Sequence, residues 1–260
     1  MNRRRSTLAV LAPPIIVFIV ALIALELIVQ LGNIAPYILP PPSGVAITLV
    51  RRHADLLASL FATAEAALIG FTASAIIGIT IAMALAASIW IRRAFFPYTV
   101  FFQTVPIIAI APLLVIWFDF GLTAVSASAF IASVFPVIAN ALAGFLSVDP
   151  NLRDLFRLYG AGRFSTLVKL TLPSALPQII TGLRVASGLA VIGAIVGEFV
   201  AGAITTGGGL GVTVMVAKKL GRTDVIFAAV LLASLLGLAM FGAVQHLGYL
   251  LLRRWHASEQ

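Results

Sequence analysis

Leu152-Arg153-Asp154-Leu155-Phe156-Arg157-Leu158-Tyr159-Gly160, continued through 161–170 and closed by Thr171-Leu172-Pro173, is a polar, basic insert between two apolar stretches. Its neighbours, 123–146 and 175–202, are long and apolar enough to cross a bilayer at about 20 residues per crossing. The insert carries Arg153, Asp154, Arg157, Arg163 and Lys169. It reads as two short helices, broken at Gly160-Ala161-Gly162 and stopped before Pro173. Glycine permits a sharp turn, and the residue before a proline resists the helical region. The plain alternative is a solvated loop with interfacial charges.

Working outward, the chain divides into about six spans: 8–31, 57–88, 95–117, 123–146, 175–202 and 224–252. The fold class is therefore all-α and integral to the membrane, one domain over 1–260 with the insert at 147–174. Pro36, Pro40, Pro41 and Pro42 stiffen the segment after the first span, and 43–56 reads as a short interfacial helix starting at Ser43. Arg3-Arg4-Arg5 before an apolar run resembles a signal peptide, but the run is long enough to span and is read as an uncleaved first helix.

With the N-terminus inside, Arg3, Arg4, Arg5, Arg92, Arg93, Arg153, Arg157, Arg163, Lys169, Arg253 and Arg254 lie in the cytoplasm. Arg51, Arg52, Lys218, Lys219 and Arg222 lie outside. That asymmetry favours both termini inside and puts 147–174 in the cytoplasm.

Composition agrees. Hydrophobic residues are 61% of the 260 and charged residues 10%, against roughly a quarter charged in soluble domains. The net charge of +8 would point to nucleic acid in a soluble protein. Here loops between spans hold most of it, so the expected surroundings are lipid and no nucleic acid. The absence of cysteine excludes disulfides, thiolate metal sites and thiol catalysis. No cofactor or metal is expected. No internal repeat is visible, which weighs against an inverted-repeat secondary transporter.

The spacing within the insert resembles the cytoplasmic "EAA" loop of ABC importer permeases: an acidic-Ala-Ala triplet, a Gly, then an aliphatic-x-Leu-Pro ending. Asp154-Leu155-Phe156 stands at the triplet, Gly160 and Ala161 at the turn, and Leu170, Leu172 and Pro173 at the ending. Both alanines of the triplet are replaced by larger apolar residues. Further stretches look like the nitrate/sulfonate/taurine branch of these permeases: Leu39-Pro40-Pro41-Pro42-Ser43, Pro106, Ala111-Pro112-Leu113, Trp117-Phe118-Asp119-Phe120-Gly121, Gly182-Leu183-Arg184, Gly197-Glu198-Phe199 and Gly209-Leu210-Gly211. Relatives often have a basic residue about four positions before the glycine matching Gly70. This chain has Glu65-Ala66 there, so no role for that residue carries over.

The resemblance implies a permease subunit of an ATP-driven importer. Two copies would form the pathway, two ABC ATPase subunits would drive it, and an extracytoplasmic binding protein would deliver the solute. Solutes of the branch are small anions such as a sulfonate, taurine or nitrate; relatives also carry pyrimidine vitamin precursors or riboflavin. It implies a bacterial inner-membrane location. Asp154, Leu155, Phe156, Gly160, Ala161, Leu170, Leu172 and Pro173 would meet the ATPase. The alternatives in other classes are a stand-alone secondary transporter or channel, and an intramembrane enzyme.

No nucleotide-binding loop accompanies Gly207-Gly208-Gly209-Leu210-Gly211, because no Lys-Ser/Thr pair follows it. Any ATP hydrolysis is thus expected in a partner. His53, His246 and His256 are scattered, and His246 has no second histidine or paired carboxylate near it in sequence.

Glu198 lies within a span, fourteen residues after Arg184, or about 21 Å along a helix, so the two do not pair. A charge at membrane depth faces a bundle interior or an aqueous cavity. Glu198 is read either as a pathway or gate residue or as a packed, hydrogen-bonded one. Arg184 is read as snorkelling or pairing with the insert, and Glu26 as reaching the interface. Gln103, Thr104 and Asn140 are candidate pathway-lining groups, each equally readable as interhelical glue. Pro106, Pro112 and Pro136 are expected to kink spans three and four.

Overall fold

The computed structural model describes residues 7–201 and 208–252. Arg3, Arg4, Arg5, Gly202, Gly207, Arg253, Arg254 and His256 fall outside them. Every regular element among the described residues is helical: α1 (Thr7–Leu31), α2 (Pro42–Arg51), α3 (His53–Ala87), α4 (Ile89–Thr104), α5 (Ile107–Phe118), α6 (Leu122–Leu146), α7 (Pro150–Leu158), α8 (Arg163–Thr166), α9 (Leu172–Ala201), α10 (Leu210–Lys219) and α11 (Thr223–Leu252). Among the described residues, four helices are long and apolar enough to cross a membrane: α3, α6, the continuous run Arg163–Ala201 that includes α9, and α11.

The third expected span, 95–117, is not one helix. It is α4 and α5, bent by 99°. Pro106 has no N–H to continue α4, and Val105 before it is extended, at φ −74° and ψ 122°, as a residue preceding proline prefers. Pro112 and Pro136 sit inside α5 and α6 without ending them. The interfacial helix expected over 43–56 is shorter: α2 ends at Arg51, and Arg52, at φ −110° and ψ 23°, breaks it from α3. Glu26 does not simply reach the interface. Its carboxylate accepts from the Ser43 backbone N–H at 3.0 Å and the Ser43 hydroxyl at 2.7 Å, so it binds α1 to the start of α2.

The core is α6 against α9, with α3 laid across both. Small residues make this possible. Ser59, Thr63, Ala66, Gly70, Ser74, Gly78 and Ala82 form a buried stripe along α3 at spacings of three and four, the faces that coincide in a helix. A Cβ on Gly70 would stand 2.5 Å from the Ala129 Cβ and 2.6 Å from the Ser126 carbonyl oxygen on α6. The two backbones touch there. Ser74 and Ser133 add a buried hydroxyl–hydroxyl bond of 2.6 Å between the same helices. In a bilayer, where lipid is as apolar as leucine, such close packing and interhelical bonding replace the hydrophobic drive. Large side chains close both ends of this contact, Leu114, Val125, Val191 and Met240 around one cluster and Leu85, Ile138, Leu142, Phe145 and Ile179 around the other.

Candidate coupling segment and buried carboxylate

The insert begins where Asp149 caps α7, its Oδ1 accepting from the Asn151 N–H at 2.8 Å, and Pro150 takes the first helical position. Both are ordinary helix-start chemistry. The helix ends in a glycine turn. Gly160 adopts φ +69°; its N–H donates to the Arg157 carbonyl at 3.0 Å, and the Ala161 N–H donates to the Phe156 carbonyl at 2.9 Å. These two bonds are the Schellman closure, in which a left-handed residue lets the chain leave while satisfying the last carbonyls. The break at 160–162 stands as expected.

The stop before Pro173 does not. α8 passes through a π-helical turn, Leu167–Thr171, directly into α9. The Leu172 N–H reaches back five residues to the Leu167 carbonyl. The residue added by this turn widens the carbonyl spacing where the Pro173 ring needs room and where its N–H is missing.

Leu170 is buried as α9 begins. The rest of the segment presents an uncovered face. Leu158 is 85% exposed, Tyr159 82% and Phe164 78%, with Leu155 also exposed and Phe156 half-buried. Asp154 pairs with Arg157 at 3.2 Å on the surface, a contact worth little alone. Arg184 does not pair with the insert: it has no salt bridge among the described residues, and its Nε is buried without a hydrogen-bond partner.

Glu198 is 3% exposed, and each of its oxygens is hydrogen-bonded. Its Oε1 accepts from the Thr63 hydroxyl at 2.7 Å and its Oε2 from the Gly211 backbone N–H at 2.6 Å. The Leu210 N–H donates to Thr63 Oγ at 2.8 Å. Ser59 and Thr213 hydroxyls meet at 2.9 Å one turn away. The carboxylate from α9 and the hydroxyl from α3 thus satisfy the first two N–H groups of α10, where a helix favours negative charge. A Cβ on Gly209 would overlap the Glu198 carboxylate and the Thr63 hydroxyl, and one on Gly211 would lie 2.8 Å from the Glu198 Cβ. That is why glycines stand there.

Two cavities flank this junction. One of about 460 Å³ lies between α3 and α10 and includes Arg52, Ser59 and Thr213. The other, about 210 Å³, lies further along α3, where Glu65, Ala66, Gly121 and Glu198 border it. Gly121 turns the chain from α5 into α6 at φ +114° and ψ −152°, a conformation left to glycine. At the far end of α10, Asp224 holds the Arg222 guanidinium above its ordinary value, first by hydrogen bonding and then by charge. Thr48 of α2 donates to the same Asp224 at 2.6 Å.

The remaining candidates are not drawn into this cluster. Gln103 is exposed near the end of α4. The Thr104 hydroxyl donates to the Phe101 carbonyl at 2.7 Å. Asn140 donates to the Pro136 carbonyl at 2.9 Å within α6, and a Cβ on Gly182 of α9 would lie 2.8 Å from the Asn140 Cβ. His246 is exposed on α11. Sequence reasoning missed Thr63, Ser59 and Thr213. The available signal was the four-residue spacing of Ser59 and Thr63 on the small-residue stripe, which marks a contact face without identifying its partner.

The family model for the binding-protein-dependent transport system inner membrane component matches residues 74–251. The formylaminopyrimidine transport permease protein ThiX of Halalkalibacterium halodurans is 34% identical over 224 residues, 84% of this chain and 86% of that one. The riboflavin transport system permease protein RibX of Chloroflexus aurantiacus is 33% identical, covering 88% and 85%. The taurine transport system permease protein TauC of Escherichia coli is 30% identical, covering 90% and 86%. Among solved structures, a chain of the inward-facing MetNI methionine ABC transporter superposes with a TM-score of 0.65 at 17% identity, over 75% of this chain and 95% of that one. The fold is that of type I ABC importer permeases. The membrane helices, the insert between two of them and these matches together place the chain in the binding-protein-dependent transport system inner membrane component family, as a multi-pass permease component of an ABC importer.

Proposed function

We propose that two copies of this chain pair in the inner membrane to enclose a solute pathway, that an ATPase subunit grips segment 147–174 of each copy, and that an extracytoplasmic binding protein delivers the solute. The whole of 1–260 acts as one permease domain with both termini in the cytoplasm. The observation that carries this reading is the uncovered face of Leu158, Tyr159 and Phe164, held at a turn of defined geometry between two spans. Exposed apolar and aromatic side chains close in sequence to Arg153, Arg157 and Arg163 suit a docking surface for a soluble protein. The orientation is supported by the excess of arginine and lysine on the same side. Gln103 belongs to the pathway wall, because an amide turned to lipid without a partner is costly.

Capture of the ATPase subunit from detergent-solubilised membranes tests the docking surface. The wild-type chain retains the subunit. Phe164→Asp weakens retention by roughly tenfold or more, since truncating a well-packed aromatic anchor costs about 2 kcal/mol. Wild-type retention by this variant refutes the docking surface.

The solute is a small polar molecule of one of two kinds: an oxyanion-bearing one such as a sulfonate, taurine or nitrate, or a heteroaromatic such as a pyrimidine vitamin precursor or riboflavin. The names of the relatives support both kinds. The binding protein makes the selection, so its calorimetric titration with taurine, an alkanesulfonate, nitrate, formylaminopyrimidine and riboflavin is expected to show tight binding to one kind and none to the other. Binding to neither refutes the assignment.

A further inference from the structure

Both carboxylate oxygens of Glu198 are already held by the protein. One accepts from Thr63 and the other from Gly211, and the side chain is 3% exposed. A buried carboxylate is tolerated only when bonded in this way. The helix it serves has no cap of its own, because the residue preceding α10 is Gly209 and offers no side-chain acceptor. The start of α10 is therefore positioned by groups on two other helices. Gly208 and Val212, on either side of that start, each line both cavities. The first turn of α10 is the wall between them.

We propose that Glu198 and Thr63 form a latch that positions the first turn of α10 between the two cavities, and that release of this latch joins them during the transport cycle. Glu198 acts as a positioning residue rather than as a group that meets the solute. The glycines at 209 and 211 serve the latch by letting a carboxylate close on the helix start, which any Cβ there would obstruct. The Ser59–Thr213 hydroxyl pair, one turn further along, is a second tether from α3 to α10. The inference rests on membership of the permease family and on neither the solute nor the ATPase-docking surface.

The latch separates variants that a charge-reading pathway would group together. In Glu198→Gln the amide oxygen accepts from Gly211. Its NH2 donates to Thr63 Oγ, whose own hydroxyl turns fully to the Ser59 carbonyl, already 3.2 Å away. Both contacts survive without the charge. Thr63→Ser keeps the hydroxyl. Thr63→Val keeps the shape and loses it, and Glu198→Ala leaves the Gly211 N–H buried without an acceptor.

The test is the complete importer, with its ATPase and binding protein, reconstituted in liposomes. Uptake per folded complex, ATP hydrolysed per solute and thermal stability are read for each variant. Glu198→Gln and Thr63→Ser are expected to stay near wild type. Thr63→Val strands the Leu210 N–H and Glu198→Ala the Gly211 N–H, and both are expected to raise ATP hydrolysed per solute by about tenfold, the scale of one buried donor left without an acceptor. Thr63→Val keeps the test decisive should Glu198→Ala fail to assemble. Equal damage from Gln and Ala overturns the proposal in favour of a charge that the solute meets. Unchanged ATP per solute in Thr63→Val, whatever its thermal stability, overturns it in favour of packing alone.

Discussion

Gly160→Val is expected to abolish ATP-driven uptake, at least tenfold per complex, while the protein still inserts and its membrane helices still fold. Gly160 holds φ +69°, and a Cβ there would meet nothing within 4 Å, so the penalty is wholly in the backbone. A β-branched residue forced into the left-handed region costs on the order of 1–2 kcal/mol or more. The chain escapes that cost by reopening the Schellman closure, which frees the bonds from Gly160 to Arg157 and from Ala161 to Phe156. The angle between α7 and α8 then changes, and with it the placement of Phe164 relative to Leu158 and Tyr159. Gly162→Ala is the control. Gly162 sits at φ −66°, and a Cβ there also meets nothing within 4 Å, so uptake is retained. Measurement of uptake beside thermal stability checks both. Full uptake by Gly160→Val would show that the turn does not transmit the work of the ATPase.

Gly193→Leu is expected to have the largest effect on folding. A Cβ on Gly193 would stand 2.7 Å from both the Ala132 Cβ and the Ser128 carbonyl oxygen, and 2.8 Å from the Ala129 Cα. The obstacles are mostly backbone and a methyl group, and none can rotate away. The helices α6 and α9 must separate along the contact that forms the core. Overpacking costs about 1–3 kcal/mol where neighbours can adjust, and more where they cannot, against a total stability of roughly 5–15 kcal/mol. The expected result is a melting temperature lowered by about 10 °C or loss of the monodisperse protein. Gly188→Leu lies on the same helix, with nothing within 4 Å of its Cβ, and is expected to melt like wild type. Thermal unfolding of the two purified variants makes the comparison.

Hydrophobic run lengths placed α6 and α11 to within a residue, because both are bounded by polar or turn residues and length alone decides whether a segment spans; α9 was placed too short, because its helix runs on without a break from Arg163. The insert was legible for the same reason: its charges interrupt that pattern, and Gly160 punctuates it. Proline was a less complete guide. Pro106 announced a break in the third span, but a missing N–H says where a helix ends and not in which direction the next begins. Pro173, read as a stop, lies inside a continuous helix because a π turn just before it absorbs the strain.

The sequence by itself determined that this chain is a bundle of membrane helices with a polar insert, because burial in lipid requires apolar runs and water requires charges, and both act on neighbours along the chain. The small residues of α3 were read as a contact face only once the structure set them against α6. Only the tertiary structure decided what Glu198 meets. Its partners are Thr63, 135 residues away, and Gly211, 13 residues away on another helix. Helical periodicity names the face a residue occupies; the crossing of α3, α9 and α10 names what that face meets. A buried carboxylate takes its role from the donors brought to it, and those donors come together only when the helices cross.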